Sequence, residues 1–389
     1  MRGYYIFFGS NSMGVIKKID MQMAEMRKFF DVELLTVNTP KRTFFKKIAA
    51  RLPWYPIGFD YEELESKIEN PDFIYVRRFV ADCAYVDFFR RIKEKYPECK
   101  IIVEIYTYPY DKDEYNRSFR HRIKQLPFYI KDKHYRYKLK DYIDRFVTYS
   151  KDEEIFGVKT IQTTNGVSVS SILPKKAEPA DCSVINLISV ARMQTHHGYE
   201  RLIKGMGEYY KNSGKRNVVY NVVGDGEETE NYRKLVKKYG LCDRVIFHGK
   251  KSGAELDDLY NKADIAIASL GLYKYDIDII STLKTCEYMA KGLPVVTGCR
   301  ISLIGNENPP YICEYPNNNT PIDIEGLVSF YDSIYSKENR EDIIKPIREY
   351  AHENMDMCVV MKPIVDYILE PSEFEHLIGE NNEHRKKQH

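Results

Sequence analysis

Lys284 and Glu287 are the residues of this chain whose types and spacing point most directly to chemistry. They stand three apart in the stretch STLKTCEYMAKGLPVV (281–296). On a helix that spacing sets them on neighbouring parts of one face, about 4.5 Å apart along the axis. Ser281 or Thr282 can cap the helix start, while Gly292 and Pro294 end it. Leu283, Cys286, Met289 and Ala290 recur at helical spacing and are expected to face the core, and Pro294-Val295-Val296 reads as entry into a buried strand. A lysine in a first turn opposes the helix dipole, so an anion held between Lys284 and the free N–H groups would resolve the conflict. The bland alternative is a solvated Lys-Glu pair.

Such a site needs a frame, and the chain alternates strand and helix. Tyr4–Phe8 reads as a strand, GSNSMG as a loop, Val15–Phe30 as a helix with apolar Ile16, Ile19, Met23, Met26 and Phe30, and Val32–Val37 as the next strand. This βαβ opening implies a parallel, helix-covered sheet. Gly9 and Gly14 either let the backbone approach a ligand or simply turn strand into helix; the full G-x-G-x-x-G spacing is absent. Strands at Phe73–Val76 and Ile101–Ile105 flank a helix over Val86–Lys95. Glu104 and the turn TYPYDKDE (107–114) fall at the carboxyl end of the second of these strands, where open α/β sheets place ligands. Tyr106, Tyr108 and Tyr110 can stack on a sugar ring and hydrogen-bond it, or pack as an ordinary aromatic loop. Further strands are expected at Phe146–Tyr149, Val184–Val190, Val218–Val223 and Ile265–Ala268, with helices at Glu255–Lys262, Ile322–Ser336 and Glu338–Tyr367. The polar, Pro-containing SILPKKAEPAD marks a linker, giving domains 1–172 and 173–350, a terminal helix over 351–370 and a polar tail over 371–389.

Composition bounds the answer. A chain of 389 residues exceeds what one core usually supports, and 43% apolar with 13% aromatic residues supplies two. The formal charge of +2 expresses no preference for nucleic acid, and no nucleic-acid-reading motif is present. Two runs, KRTFFKKIAARLPWY (41–55) and 117–145, mix cations with Phe, Leu, Tyr and Trp54, the composition of segments that meet a membrane surface or, equally, of solvated helix faces. Cysteines at 83, 99, 182, 242, 286, 299, 313 and 358 form no C-x-x-C pair and no metal-ligand cluster, so they read as reduced thiols and no metal is expected. The triplets Asp276-Ile277-Asp278 and Asp111-Lys112-Asp113 read as solvated turns. The apolar run of five near the N-terminus is too short for a signal peptide's hydrophobic region, and nothing approaches ~18 consecutive apolar residues. A cytoplasmic protein, soluble or peripheral at the inner face of the membrane, is the expectation.

The run SLGLYKYDIDIISTLKTCEYMAKGLPVVTG (269–298) resembles the donor-site segment of GT-B retaining glycosyltransferases of the group 1, family 4 type. The resemblance implies two Rossmann-like domains with parallel sheets facing a central cleft, and a C-terminal helix crossing back to the first domain. It also implies that Lys284 and Glu287 meet the diphosphate and ribose of a sugar nucleotide, with Leu283 lining the backbone amides beside the phosphates. ARMQTHHGYERLIKGM resembles the family's R-x-x-x-x-K-G loop, which grips the pyrophosphate; Arg192 matches, and His197 stands at the lysine position. A neutral imidazole can still donate to phosphate, and a bound dianion raises its pKa. His248 and Gly249 inherit backbone contacts to the base, and Gly14 lies near a phosphate of acceptor or donor. The segment IQTTNGV (161–167) is the counterpart of the one that precedes the crossing between domains. Many members carry a second glutamate, touching the donor sugar, eight positions before Glu287. Here that position is Ile279, which leaves Asp276, Asp278 and Glu104 as the candidate acids. The resemblance covers most of 185–300, and the first half only by strand order and the TYPY turn.

The function implied is transfer of a sugar from a nucleoside-diphosphate sugar to an acceptor hydroxyl with retention, in bacterial surface polysaccharide or glycolipid assembly. The acceptor would be lipid-linked or an oligosaccharide, bound by Tyr106, Tyr108 and Tyr110. Glu104, Asp278 and Lys284 are the catalytic candidates. Arg192, His197 and Lys284, with the helix start at Thr282, would stabilise the leaving diphosphate, so neither cofactor nor metal is called for. The alternative is a sugar-nucleotide or lipid-head binding subunit without turnover. A nucleotide-sugar epimerase would need a facing pair of acid/base carboxylates, and nothing marks one.

Overall fold

Arg2–Phe8 (β1) carries no charged side chain after its first residue, and a strand of that kind must be covered on both faces. The computed structural model places it inside a seven-stranded sheet. Residues 1–9, 13–38, 43–111, 119–177, 183–280, 282–301, 309–335 and 340–371 are described, positions 13 and 119–124 by backbone alone. The chain forms two units: Met1–Thr163 with the described residues from Met361 onward, and Thr164–Val360.

After β1 the first unit runs through α1 (Met13–Met26), β2 (Asp31–Val37), α2 (Phe44–Ala49), α3 (Tyr61–Ser66), β3 (Phe73–Arg77), α4 (Cys83–Lys95) and β4 (Lys100–Ile105). It continues with α5 (Phe119–Tyr135), β5 (Arg145–Thr148), β6 (Glu154–Ile155) and β7 (Val158–Gln162). The strand order is β2-β1-β3-β4-β5-β7-β6, parallel throughout except for the β6–β7 hairpin. The helix expected over Val15–Phe30 ends at Met26, because Phe30 turns inward onto Phe73, ring centroids 5.0 Å apart. The helix expected from Val86 starts three residues earlier, where the Asp82 carboxylate accepts the Tyr85 N–H at 2.8 Å.

The second unit holds β8 (Val184–Val190), α6 (Glu200–Lys211), β9 (Asn217–Val223), α7 (Thr229–Lys238), β10 (Val245–Gly249), α8 (Gly253–Lys262) and β11 (Ile265–Ile267). Then come α9 (Leu283–Ala290), β12 (Val295–Thr297), β13 (Ile312–Glu314), α10 (Ile324–Tyr335), α11 (Arg340–Met355) and the start of α12 (Met357–Leu369). Its sheet, ordered β10-β9-β8-β11-β12-β13, is wholly parallel. Two parallel-sheet α/β units are the architecture expected.

The stretch Glu338–Tyr367, expected to be largely helical, forms two helices that meet at Asp356. There the Met355 carbonyl accepts the Val167 N–H at 3.0 Å, and Asp356 accepts from Val169 N and Cys358 N, so it starts the next helix. The division between units falls inside α12. The far end of α12 is capped within the first unit: Lys100 Nζ donates to the carbonyls of Tyr367 (2.8 Å) and Ile368 (3.1 Å), the charge its C-terminus favours. No helix among the described residues is long and apolar enough to cross a membrane.

Candidate active site

The site residues of the second unit gather on the loop after β8 and the first turn of α9. Thr282 caps α9, its hydroxyl accepting the Thr285 N–H at 3.3 Å, while Ser281 lies outside the described residues. The helix ends as expected at Gly292, left-handed at φ +81°. There Gly292 N–H bonds Met289 O and Leu293 N–H bonds Tyr288 O, the paired C-terminal closure that glycine permits. A Cβ at Gly292 would also lie 2.5 Å from Ile344 Cγ2. Tyr288 ties the helix to the end of β8: its hydroxyl accepts from Val190 N at 2.8 Å and donates to Val190 O at 3.3 Å. The helix is therefore docked against the carboxyl end of a central strand, where open α/β sheets bind ligands.

Lys284 is half-buried, and its ammonium donates to the Tyr199 hydroxyl at 3.2 Å while lying 5.4 Å from the centre of that ring. Among the described residues no carboxylate is ion-paired with it. Burial without a counter-ion lowers its pKa to about 7. The other face of the arrangement is His197, buried and stacked on the same Tyr199 at 5.4 Å and 8°. Its Nδ1 accepts the Gln194 N–H at 3.0 Å, which leaves the ring proton on Nε2 as a donor. Burial, then Lys284 and His196, hold its pKa well below the ordinary histidine value, so the ring is neutral. The sequence singled out Lys284 and His197; Tyr199, which joins them, it left unremarked although it follows in the same H-H-G-Y string. Gly198 permits the turn, since a Cβ there would lie 2.4 Å from Gly271 N at φ +62°.

Arg192, on the same loop, takes a separate place. It is exposed at a cleft of about 670 Å³ lined also by Val190, Gly224, Asp225, Gly226, Lys250 and Lys251. Among the described residues it has no ion-pair partner. The floor is glycine by necessity: a Cβ on Gly224, at φ +115°, would sit 1.9 Å from Ala191 O, and one on Gly226 would sit 2.2 Å from Met193 O. His248 stands out of register in a bulge of β10, its Nε2 2.8 Å from Asn221 Oδ1, and burial followed by Lys251 lowers its pKa. Gly249 is left-handed at φ +65° and its carbonyl accepts the Gly224 N–H at 2.7 Å. Leu283 and Glu287 are half-buried on α9.

Of the candidate acids near Ile279, Asp276 is an exposed left-handed turn residue at φ +52°. Asp278 is also exposed, but it is held: Asn317 Nδ2 donates to Asp278 Oδ1 at 2.8 Å and to Ile277 O at 3.0 Å, and Arg300 N donates to Asp278 O at 3.0 Å. The Cys299 thiol is buried, and burial pushes its pKa up to about 11. Asn317 had no signal in the sequence. Gly166 of the N-G-V segment proves to be a packing residue, since a Cβ there would lie 2.6 Å from Val360 Cγ2 and 2.8 Å from Met355 O.

The first unit treats its candidates differently. Glu104 is fully buried: one oxygen accepts from Lys18 Nζ at 2.8 Å and from the Tyr149 hydroxyl, and the other faces Arg77 Nη1 at 3.7 Å. Burial raises its pKa, but Lys18 and Arg77 outweigh that and bring it down to about 2. A carboxylate so held is a counter-ion for two buried cations. Tyr110 is buried, donating to Asp132 at 2.8 Å, so its hydroxyl is already engaged. Tyr108 is half-buried, and the partly exposed Tyr106 lies against Arg77, 4.5 Å from the guanidinium. Gly14 is exposed in the first turn of α1. Lys112 and Asp113 of the second acidic triplet lie outside the described residues, and Asp111 pairs with Arg136 at 2.6 Å. Among the described residues no three His, Cys, Asp or Glu side chains converge as a metal site would need.

Residues 175–302, most of the second unit's site, match the model of the family glycosyl transferases group 1. Over 95% of its length the chain has the GT-B fold. It is similar to a glycosyltransferase from Rickettsia africae (15% identity, TM-score 0.60, covering 95% of this chain and 99% of that one). It is likewise similar to Anabaena HepE, solved with UDP and glucose (11% identity, TM-score 0.62, covering 95% and 99%). A curated relative, mannosylfructose-phosphate synthase of Agrobacterium fabrum, is 29% identical over 116 residues, which is 28% of this chain and 24% of that protein. The match thus spans about a quarter of the relative's length.

Proposed function

We propose that this protein is a retaining hexosyltransferase, moving a sugar from a nucleoside-diphosphate sugar to an acceptor hydroxyl in the assembly of a bacterial surface polysaccharide or glycolipid. The observation that carries the reading is the pair on Tyr199: a lysine ammonium with no carboxylate partner among the described residues and a neutral imidazole with its Nε2–H available, at the start of a capped helix. Three donors without an anion among them are what a diphosphate requires, and they stabilise the charge that develops as it leaves. The C1–O bond to the diphosphate breaks, the acceptor oxygen attaches on the same face, and the leaving phosphate oxygen takes the acceptor's proton. Glu287 holds the ribose, Arg192 and His248-Gly249 the remainder of the donor, and Asp278 faces the donor sugar. No metal takes part. Anabaena HepE, solved with UDP and glucose, supports a nucleotide-sugar donor. The acceptor is lipid-linked, and the protein works at the inner face of the membrane.

The test is release of nucleoside diphosphate from a panel of UDP-, GDP- and ADP-sugars, with and without a lipid-linked acceptor extract, for the protein and for Lys284→Ala and Glu287→Ala. Acceptor-dependent release that both substitutions abolish supports the transferase. Tight nucleotide binding with no release from any donor would make the protein a binding subunit instead.

A further inference from the structure

The helix α2 and the turn behind it present an unusual surface. Not one residue of Phe44–Ala49 is buried. Phe44 is 71% exposed, Phe45 81%, Ile48 50% and Trp54 70%, four large apolar side chains uncovered within eleven positions, the kind of patch that marks an interaction surface. Interleaved with them are Lys46, Lys47 and Arg51, all exposed, and the segment 43–55 contains no acidic residue. Lys41 and Arg42 of the sequence run lie outside the described residues.

The side chains are free but the backbone is not. Lys131 of α5, itself buried, donates from Nζ to Ala50 O at 2.6 Å and to Tyr55 O at 2.5 Å, bracketing the turn that carries Trp54. Ile57 N, just beyond, donates to Asp82 Oδ2 at 2.5 Å. The apolar side chains are thus held outward before any partner arrives, which reduces the ordering cost of binding. The second basic run is unlike the first. Its Lys131, Asp132 and Arg136 are buried and spent on internal bonds, Asp132 accepting from Arg78 at 2.6 Å and Arg136 pairing with Asp111. Leu126, Ile130 and Tyr137 of that run are exposed, but these three charges are not available to a partner.

We propose that the segment 43–55 is a membrane-docking element that inserts Phe44, Phe45, Ile48 and Trp54 into the interface of an anionic phospholipid bilayer while Lys46, Lys47 and Arg51 meet its headgroups. Charge selects the occupant. A second copy of this surface would bring like charges together, whereas an anionic leaflet complements all three cations, and Trp and Phe favour the headgroup boundary. Such docking rests on the proposed function for the location of the acceptor, and it makes the membrane the place where that acceptor is met.

Trp54 is the single tryptophan of the chain, so its fluorescence reports on this segment alone. The full chain is mixed, without nucleotide, with vesicles of phosphatidylglycerol and phosphatidylcholine or of phosphatidylcholine only, and followed by sedimentation and by Trp54 emission with bromolipid quenching. Binding to anionic vesicles with a blue-shifted, quenchable Trp54 is expected. Phe44→Ser with Phe45→Ser should weaken it at least about tenfold, and Lys46→Gln with Lys47→Gln about fivefold per charge removed. Both variants replace exposed groups and should melt at the unaltered temperature. The proposal is overturned by absence of vesicle binding, by binding that leaves Trp54 emission unchanged or survives Phe44→Ser with Phe45→Ser, or by self-association through this face in place of lipid binding. Nucleoside diphosphate binding, measured in parallel, separates failure of docking from failure of the transferase reading.

Discussion

If Lys284 grips the donor's diphosphate, binding must be linked to its proton. In the free protein burial brings the Lys284 pKa to about 7, so the ammonium is lost as pH rises through neutrality. A bound diphosphate favours the charged form and raises the pKa. Between about 7 and the bound value, binding therefore takes up one proton, and affinity falls by up to tenfold, about 1.4 kcal/mol, per pH unit. Below 7 the slope vanishes, because free and bound lysine are both charged. Neighbouring groups do not confound this window. His197 stays neutral, the Cys299 thiol is raised to about 11, and Tyr199 is raised well above its ordinary value by burial. A phosphate's own second titration lies near 6. Calorimetry of the nucleoside diphosphate that binds best, run from pH 7 to 9 in buffers of different ionisation enthalpy, should show affinity falling by as much as about fiftyfold, with close to one proton taken up at pH 8. Lys284→Arg stays charged throughout and should flatten the slope. An affinity independent of pH with no proton uptake, or an equal slope in Lys284→Arg, would refute the assignment of this lysine to the phosphate.

Asn317→Ala should release Asp278 from its hydrogen bond and lower kcat about tenfold or more while nucleoside diphosphate affinity stays unchanged; an unaltered kcat argues that Asp278 does not face the reacting sugar. Gly224→Ala drives a Cβ onto Ala191 O at a backbone angle alanine disfavours and should cost at least about 2 kcal/mol, read as a lower melting temperature. Glu104→Gln leaves Lys18 and Arg77 buried without their counter-ion and should destabilise the protein by about 3–5 kcal/mol. Adding Lys18→Met should recover part of that loss, and no loss in the single variant would contradict the ion-pair reading. Because the Glu104 pKa is depressed to about 2, its contribution should be intact above the ordinary carboxylate value near 4 and disappear as pH falls toward 2, measurable by acid unfolding.

The alternation of strands and helices, the two-unit α/β architecture and the start and stop of α9 were all legible in the residues. These features follow from short-range rules: apolar spacing along a strand or helix, a threonine that caps, a glycine that closes a left-handed turn. The same rules carried α1 on to Phe30, past its end at Met26, and did not mark the break at Asp356 within the late helical stretch. Phe30 was drawn out of its helix by Phe73, and Asp356 was committed to the distant Val169.

The sequence by itself determined which side chains were chemically suited to a diphosphate and roughly where in the chain they fell. Only the tertiary structure decided their state. Lys284 meets Tyr199 across 85 positions, Asn317 holds Asp278 across 39, and Lys18 neutralises Glu104 across 86. Burial leaves the lysine poised near neutrality, and those pairings hold the acid in place and the glutamate away from solvent. Burial likewise distinguished two basic runs of similar composition, committing Lys131, Asp132 and Arg136 of one to internal bonds and leaving Lys46, Lys47 and Arg51 of the other exposed. Periodicity is a local property and can be read along the chain; desolvation and charge pairing depend on what the fold brings alongside, and no spacing rule encodes them.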